Sequence, residues 1–543
     1  MEKRAKSGGL SLWPADDRWP VLATTIGSVL RDAVASSPEQ VALIDGAADR
    51  PRRRWTYSEM LDDAARIGAG LLAQFRPGER LALWAQNSPE WILFQYGAAL
   101  AGITLVTVNP GLRAGELGHV LRQSGAVGLA CLEGHGGSSM RAQADAIRSE
   151  LPALRRVLGL LEWEEWSPAA APPPSAFPEV TADDIAMIIF TSGTTGSPKG
   201  AMLRHRGLTN NYRFNAMRLG MGADDVFVTQ IPLFHVGGAC MAVLTSLAAR
   251  STLVLGERIS APLLLDLIVT ERATAMIGVP TMFLDLLGEI DKSGRAVETM
   301  RTIMVGGAPV PADLIRALES RLGARVHNSY GQTESGSIIC ATERDDPPEV
   351  VADTVGRPFP QAEVRIVGPA GETLPIGCPG ELCVRGYQVM AGYVGMAKES
   401  VAAIDADRWL HTGDICTMDE LGRVRIVGRL KEMIIRGGEN LFPQEIESAI
   451  RTHPAVADVA VVGVPHARLG ETAAAFVQRG NNEGVDAADL AAYLATRIAP
   501  EKIPEHWRFV ESFPMTASGK TNKPALKASF AGADEGGPNS RLA

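Results

Sequence analysis

The 543-residue sequence predicts an α/β protein, with a large N-terminal domain of doubly wound sheets and a small α+β C-terminal domain. Three observations predict it. From residue 24 onward, short apolar runs of strand type alternate with segments of helical period, the pattern of helices packed on a mostly parallel sheet. Several of those runs end in glycine and hydroxyl residues, which is where α/β proteins place their ligands. The chain is also too long for one ordinary core, and a unit of roughly a hundred residues with its own apolar strands closes it.

Taken in order, TIGSVLRDAVASS sets Ile26, Val29, Leu30, Ala33 and Val34 on one helical face, Pro38 breaks the helix, and VALID follows as a strand. RLALWAQ reads as a strand, SPEWILFQYGAALA as a helix with Ser88 as N-cap and Pro89 in its first turn, ITLVTV as a strand, and RAGELGHVLRQSG as a helix closed by Gly125. The Pro/Ala-rich SPAAAPPPSAFP at 167 to 178 is a surface connection between two α/β blocks. IAMIIF at 185 to 190 is a buried strand that runs into the loop TSGTTGSPKG. After the strand RVRIVG the reading places a domain boundary, giving domains 1–428 and 429–543. The second holds a helix from Pro443, strands DVAVVGV and AAAFVQRG, a helix DAADLAAYLATRI and a strand HWRFVESF; GADEGGPNSRLA reads as a disordered tail.

Hydrophobic residues make up 46% of the chain and charged residues 21%, a globular balance. With 53 basic and 62 acidic residues the net charge is −9, which argues against nucleic acid as a partner. The six cysteines are too scattered for a disulfide framework, and Cys378 and Cys383 have no second pair at zinc spacing, so a reducing, cytoplasmic setting is expected. The N-terminus has no apolar core of a secretory signal, and the apolar stretch at 96 to 108 is too short for an integral membrane segment.

The loop TSGTTGSPKG is built for an anion. Its glycines let the backbone approach a ligand, Thr191, Ser192, Thr194, Thr195 and Ser197 bring hydroxyls, and Lys199 brings a positive charge. It is not a Walker loop: Pro198 stands where that pattern needs its second glycine, and Gly200 where it needs the Mg²⁺-binding hydroxyl. Six further stretches carry glycine and polar residues after apolar runs: MVGGAP, NSYGQTES, LHTGD, VGRLKE, RGGENLFPQEIE and TASGKTNK.

Together and in this order the seven stretches resemble those of the AMP-forming adenylating enzymes, which include acyl-CoA synthetases, nonribosomal adenylation domains and firefly-type luciferases. The resemblance runs from about residue 25 to about 525. It implies that Thr191, Ser192, Gly193, Thr194, Thr195, Gly196 and Lys199 wrap the β- and γ-phosphates of ATP, and that Gly306, Gly307 and Ala308 line the adenine, where a larger side chain would collide with the base. Tyr330, Gly331 and Gln332 would border the nucleotide, with Tyr330 stacking on adenine; Thr333 would bind the α-phosphate and Glu334 would hold Mg²⁺. Asp414 and Arg429 would take the ribose hydroxyls, and Lys431 would be the hinge of a mobile C-terminal domain. Lys520 would stabilise the transition state of adenylation, standing between a carboxylate and the α-phosphate. Gly437, Gly438 and Glu439 would then line the tunnel through which a thiol reaches the acyl-AMP.

Adenylation domains that act on amino acids carry an aspartate in the stretch matching PLFHVGGAC; here that stretch holds Phe234 and His235 and no carboxylate. His235 resembles the gate of acyl-CoA synthetases, and a carrier domain after Lys520 is not expected. The resemblance therefore implies an acyl-CoA synthetase using ATP, Mg²⁺ and coenzyme A. The acyl pocket is expected along 210 to 214, 279 to 283 and 335 to 339, which are mainly apolar or small and predict a hydrophobic monocarboxylate, a medium- or long-chain fatty acid ahead of an aromatic or alicyclic acid. A carrier protein as acceptor, a phosphotransferase, a nucleotide sensor and a homodimer stay open at this point.

Overall fold

The computed structural model describes residues 8–16, 18–191, 198–437, 439–480, 484–515 and 521–531. The tail GADEGGPNSRLA lies outside them. The chain forms two compact units: one from Met1–Arg365, Cys383–Thr412 and Asp419–Val424, the other from Ile366–Leu382, Gly413–Met418 and Arg425–Ala543.

The first unit is built on two large sheets. One has six strands in the order Lys199–Arg204, Ile185–Thr191, Thr104–Val108, Arg80–Trp84, Gly128–Cys131 and Arg156–Gly159, parallel except for the first pair. The other has nine. Its six central strands, Arg325–Tyr330, Thr302–Gly306, Ala275–Gly278, Val226–Thr229, Thr252–Gly256 and Val41–Gly46, all run parallel, and short antiparallel strands close both edges. Val228, Val254, Ile303, Val305 and Val326 are fully buried on this sheet, as strands covered on both faces require.

The helices follow the capping signals. Ile26–Ser36 starts at Thr25 with a reciprocal cap to Ser28, and Pro89–Leu100 starts at Ser88, whose side chain accepts from the Trp91 amide. Every residue of Pro89–Leu100 is buried, so this helix lacks the polar face of a surface helix. It meets Tyr57–Leu72 through glycines: a Cβ on Gly97 would lie 2.8 Å from the Ala64 carbonyl oxygen, and one on Gly68 2.8 Å from that of Gly97. The apolar run at 96 to 108 is thus core, and among the described residues no helix is long and apolar enough to cross a membrane. Segment 167 to 178 forms one short turn at Pro174–Ala176 and is mostly exposed or half-exposed.

In the second unit, Gly470–Arg479 pairs with Val456–His466, Ile434–Arg436 and His506–Val510, and Glu439–Leu441 extends the sheet beyond Ile434–Arg436. Pro443–Arg451 and Ala487–Ala495 supply Ile446, Ile450, Leu490 and Leu494 to its core, and Lys523–Ala531 supplies Leu526 and Phe530 to a second cluster. Strand Glu363–Val367 alternates polar and apolar residues from Glu363 to Ile366, whereas Gly380–Arg385 and Leu410–Met418 have no clean apolar alternation, and periodicity alone does not single those two out. All six cysteines are free thiols, five of them buried.

Candidate active site

Three of the predicted residues, Thr191, Gly306 and Tyr330, stand at the carboxyl ends of parallel strands in the two sheets of the first unit. Ile185–Thr191 ends in Thr191, Thr302–Gly306 in Gly306, and Arg325–Tyr330 in Tyr330; Gly306 and Ser329 are partners in adjacent strands. The anion loop is the connection of a β-hairpin. Thr191 pairs with Lys199, and the Thr191 hydroxyl donates to the Lys199 carbonyl at 3.3 Å. A strand, Lys199–Arg204, follows the loop where a Walker loop leads into a helix, which is the physical reason the Walker pattern does not fit. Ser192, Gly193, Thr194, Thr195 and Gly196 lie outside the described residues.

Gly307 has φ +80°, a conformation that favours glycine, and both Gly307 and Ala308 are exposed beside the end of their strand. Tyr330 is 9% exposed. After it the chain turns sharply: a Cβ on Gly331 would lie 2.0 Å from the Ser337 carbonyl oxygen, so only glycine fits. Thr333–Ser335 is a single 3₁₀ turn in which the Ser335 hydroxyl donates to the Gln332 carbonyl at 2.9 Å. From behind, Asn211 donates through its amide to the carbonyls of Gly336 at 3.2 Å and Ile338 at 3.1 Å, and the Tyr212 hydroxyl donates to Gly336 at 2.7 Å. Segments 210 to 214 and 335 to 339, both expected near the acid, therefore come together. Asn211 and Tyr212 serve there as a brace for the turn, a role that spacing along the sequence does not reveal.

Glu334 is half-buried, and its Oε1 accepts the Tyr393 hydroxyl at 2.8 Å. Burial first, and then the Glu334 carboxylate, hold the Tyr393 phenol well above its ordinary range, so it stays protonated and donates. The Lys199 ammonium lies over the Tyr393 ring, 5.1 Å from its centroid. His235 is exposed at the start of the segment that leads into a π-helical turn, Gly237–Ala242, and its Nδ1 accepts from the Gly237 amide at 3.1 Å. Turns of this kind recur at functional sites.

In the second unit Asp414 is 4% exposed and pairs with Arg429, Nε to Oδ1 at 3.0 Å. The two residues expected at one ribose are thus neighbours, and the arginine offsets the charge of a buried carboxylate. Lys431 lies in the exposed turn Leu430–Glu432. Gly437 has φ +61° and Glu439 is exposed in the hairpin partner of Ile434–Arg436, while Gly438 and Lys520 lie outside the described residues. An ion cluster that sequence reasoning missed sits beside this hairpin. The Lys523 ammonium is 2.6 Å from Glu432 and 2.8 Å from Glu447. Burial by itself would lower the lysine pKa, but Glu447 and Glu432 outweigh it and hold it above its usual value.

Parallel strands that end in glycine and hydroxyl residues define an α/β protein with its candidate site at the strand ends. Comparison with known proteins gives the family. Residues 30–394 match the AMP-binding enzyme family and residues 445–520 match the AMP-binding enzyme C-terminal domain. The medium-chain acyl-CoA ligase ACSF2, mitochondrial, of Macaca fascicularis is 35% identical over 96% of this chain and 89% of its own. A feruloyl-CoA synthase of an Amycolatopsis species is 35% identical over 88% of this chain and 94% of its own. The crystal structure of ATP-bound MatB from Rhodopseudomonas palustris superposes with a TM-score of 0.84 at 29% identity, covering 94% of this chain and 99% of that one. The chain belongs to the AMP-binding enzyme family, in its acyl-CoA synthetase branch. The α/β expectation and the enzyme class agree with this, and the family's co-substrates are ATP and coenzyme A.

Proposed function

We propose that this AMP-forming acyl-CoA ligase activates a hydrophobic monocarboxylate, with a medium- or long-chain fatty acid as the favoured substrate. The observation that carries the reading concerns charge. Across 210 to 214, 279 to 283 and 335 to 339, Arg213 is the single charged residue, and its guanidinium donates to the Pro20 carbonyl at 2.5 Å and lies over the Phe214 ring, 4.4 Å from its centroid. These contacts engage one end of the guanidinium, while its Nε is buried with no hydrogen-bond partner among the described residues; beyond Arg213, a second carboxylate on the substrate would find no cation in these segments. An aromatic acid is the second reading, favoured by the similarity to the feruloyl-CoA synthase.

In the first step a substrate carboxylate oxygen attacks the α-phosphorus of ATP; that P–O bond forms, the bond to the bridging oxygen breaks, and pyrophosphate leaves. The reading assigns the TSGTTGSPKG loop to the leaving phosphates, Gly306, Gly307, Ala308, Tyr330, Gly331 and Gln332 to the base, Thr333 to the α-phosphate, Asp414 and Arg429 to the ribose, and Lys520 to the charge at the reacting phosphate. In the second step the thiol of coenzyme A attacks the acyl carbon and AMP leaves. Gly437, Gly438 and Glu439 are assigned to the thiol's approach, His235 to the acyl side, and the division at 428/429, with Lys431 as hinge, to the alternation between steps. Glu334 fits Mg²⁺: its carboxylate accepts a neutral hydroxyl, and among the described residues it takes part in no ion pair with a lysine or arginine. Mg²⁺ there would neutralise phosphate charge, as one protein carboxylate plus substrate phosphates commonly provide for.

The reading extends to a cytoplasmic enzyme, a homodimer and no nucleic-acid partner. Its test is release of AMP and pyrophosphate with fatty, aromatic, alicyclic and amino acids, each with and without coenzyme A. Equal AMP and pyrophosphate, fastest with fatty acids and coupled to thioester, is the expected result. Best activity on an amino acid, or release of ADP, overturns it.

A further inference from the structure

Glu334 needs something to hold it. It sits on a one-turn 3₁₀ segment, and a glutamate side chain on such a turn has many rotamers of similar energy. The structure supplies the restraint from residues 390 to 394, MAGYV, which none of the seven stretches includes. This segment runs along the strand that follows the anion loop. The Val394 amide donates to the Gly200 carbonyl at 2.8 Å, the Met202 amide to the Gly392 carbonyl at 3.0 Å, and the Ala391 amide to the Met202 carbonyl at 2.8 Å, with Tyr393 bridged to Ala201. The Met390 amide donates to the carbonyl of Glu334 itself at 2.9 Å. The Tyr393 amide is satisfied by the Ser400 hydroxyl at 2.8 Å. The backbone on both sides of Tyr393 is therefore fixed to the base of the loop and to the Glu334 turn at once.

From that frame the side chain reaches in two directions. Its hydroxyl donates to Glu334 Oε1 at 2.8 Å, and its ring carries the Lys199 ammonium at 5.1 Å. The type of donor matters. A lysine or arginine at this place would neutralise the carboxylate and compete with a divalent cation, whereas a phenol orients it, leaves its charge intact and leaves the second oxygen available. Lys199, the nearest cation of the loop, is held on the ring face and not in an ion pair with the carboxylate.

We propose that Tyr393 is a positioning residue for metal-bound nucleotide: its hydroxyl sets the Glu334 carboxylate for Mg²⁺ while its ring seats Lys199, so that the metal carboxylate and the base of the anion loop are aligned by one side chain. This rests on the assignment of Glu334 to Mg²⁺ above. The partners that orient a metal ligand commonly contribute roughly 10- to 100-fold to metal affinity.

The test compares the wild type with Tyr393→Phe, Glu334→Gln and the double variant. Affinity for Mn²⁺ is measured by the loss of its free electron paramagnetic resonance signal in the presence of a non-hydrolysable ATP analogue, and pyrophosphate release is titrated with Mg²⁺. For Tyr393→Phe we expect Mn²⁺ affinity about tenfold weaker, half-maximal Mg²⁺ raised by a similar factor, kcat at saturating Mg²⁺ within about threefold of wild type, and a melting temperature close to wild type. The double variant should bind metal no more weakly than Glu334→Gln alone, since the hydroxyl acts through that carboxylate. Unchanged metal affinity in Tyr393→Phe, with Glu334→Gln impaired, overturns this proposal and leaves the Glu334 assignment standing. Unchanged metal affinity in Glu334→Gln overturns the assignment itself. A kcat loss in Tyr393→Phe that is equal at all Mg²⁺ concentrations also overturns the proposal. Should Tyr393→Phe fold poorly, Tyr393→His keeps a ring and a donor and is expected to bind Mn²⁺ more tightly than Tyr393→Leu; equal affinities overturn the proposal.

Discussion

Acid should destabilise the first unit, and two histidines set the pH window. His205 begins the helix after the anion hairpin, and His327 lies in the strand that ends in Tyr330. Burial lowers the pKa of each from the ordinary 6.5 to about 4; Asp184 opposes this at His205, while at His327 a bond to the Thr342 carbonyl opposes it and Arg218, Arg325 and Arg344 reinforce it. His205 Nδ1 accepts the Ile26 amide at 3.2 Å, and that bond is lost if Nδ1 takes a proton. Between the two pKa values the unfolded chain binds more protons than the folded one. The stabilisation is therefore complete above about pH 6.5 and is lost as pH falls toward 4. From pH 7 to pH 5 linkage gives about 2 kcal/mol per histidine, about 4 kcal/mol for both, against a typical total of roughly 5 to 15 kcal/mol. Urea unfolding followed by tryptophan fluorescence at pH 7 and pH 5 reads this, with His327→Asn as the control that removes one titrating group. The variant should lose about 2 kcal/mol less than wild type over the interval. Identical pH dependence in both would refute the reasoning and assign the acid sensitivity to carboxylates.

Two further outcomes bear on the site. Ala308 is exposed, so Ala308→Leu should leave the melting temperature unchanged; if the adenine lies against it, the KM for ATP rises at least about tenfold, equivalent to about 1.4 kcal/mol, and an unchanged KM removes residues 306 to 308 from the base-binding assignment. Lys520→Ala should lower ATP-dependent pyrophosphate release by roughly 10² to 10³, as expected for loss of a donor aimed at developing charge, while conversion of supplied acyl-AMP to thioester persists; equal loss of both halves contradicts the division of labour.

What the sequence shows depends on whether cause and effect are neighbours in the chain. Caps are local, so Ser88 and Gly125 mark their helices at the positions the structure gives. The glycine-rich stretches are also local, because a backbone that turns sharply at a strand end must do so with the residues at hand: Gly307 at φ +80° and Gly331 against the Ser337 carbonyl both stand in motifs legible from composition and order. Long-range supports leave no such mark. Asn211 braces a turn 125 residues further on, Lys523 pairs with Glu432 at a separation of 91, and Tyr393 reaches Glu334 across 59. Each is a single polar residue in an unremarkable stretch.

This division has a physical basis that bears on specificity within the family. Residues that touch the nucleotide must satisfy a ligand of fixed shape, so their types and spacing are narrowly constrained and can be read from sequence. Residues that hold them must satisfy only the local packing, and several side chains can do so. Tyr393 shows the consequence: another donor on another element could orient the same carboxylate, and nothing in TSGTTGSPKG or NSYGQTES would change. If Glu334 holds Mg²⁺ as proposed, the affinity for metal-bound nucleotide would be adjustable through supporting residues without altering the chemistry at the site. On the proposed assignment of 210 to 214 to the acyl pocket the same would hold there, since the Arg213 guanidinium is held by the Pro20 carbonyl and the Phe214 ring. Freed from them, it would offer a second carboxylate a partner, and the acid preference would move without any change in the adenylating machinery.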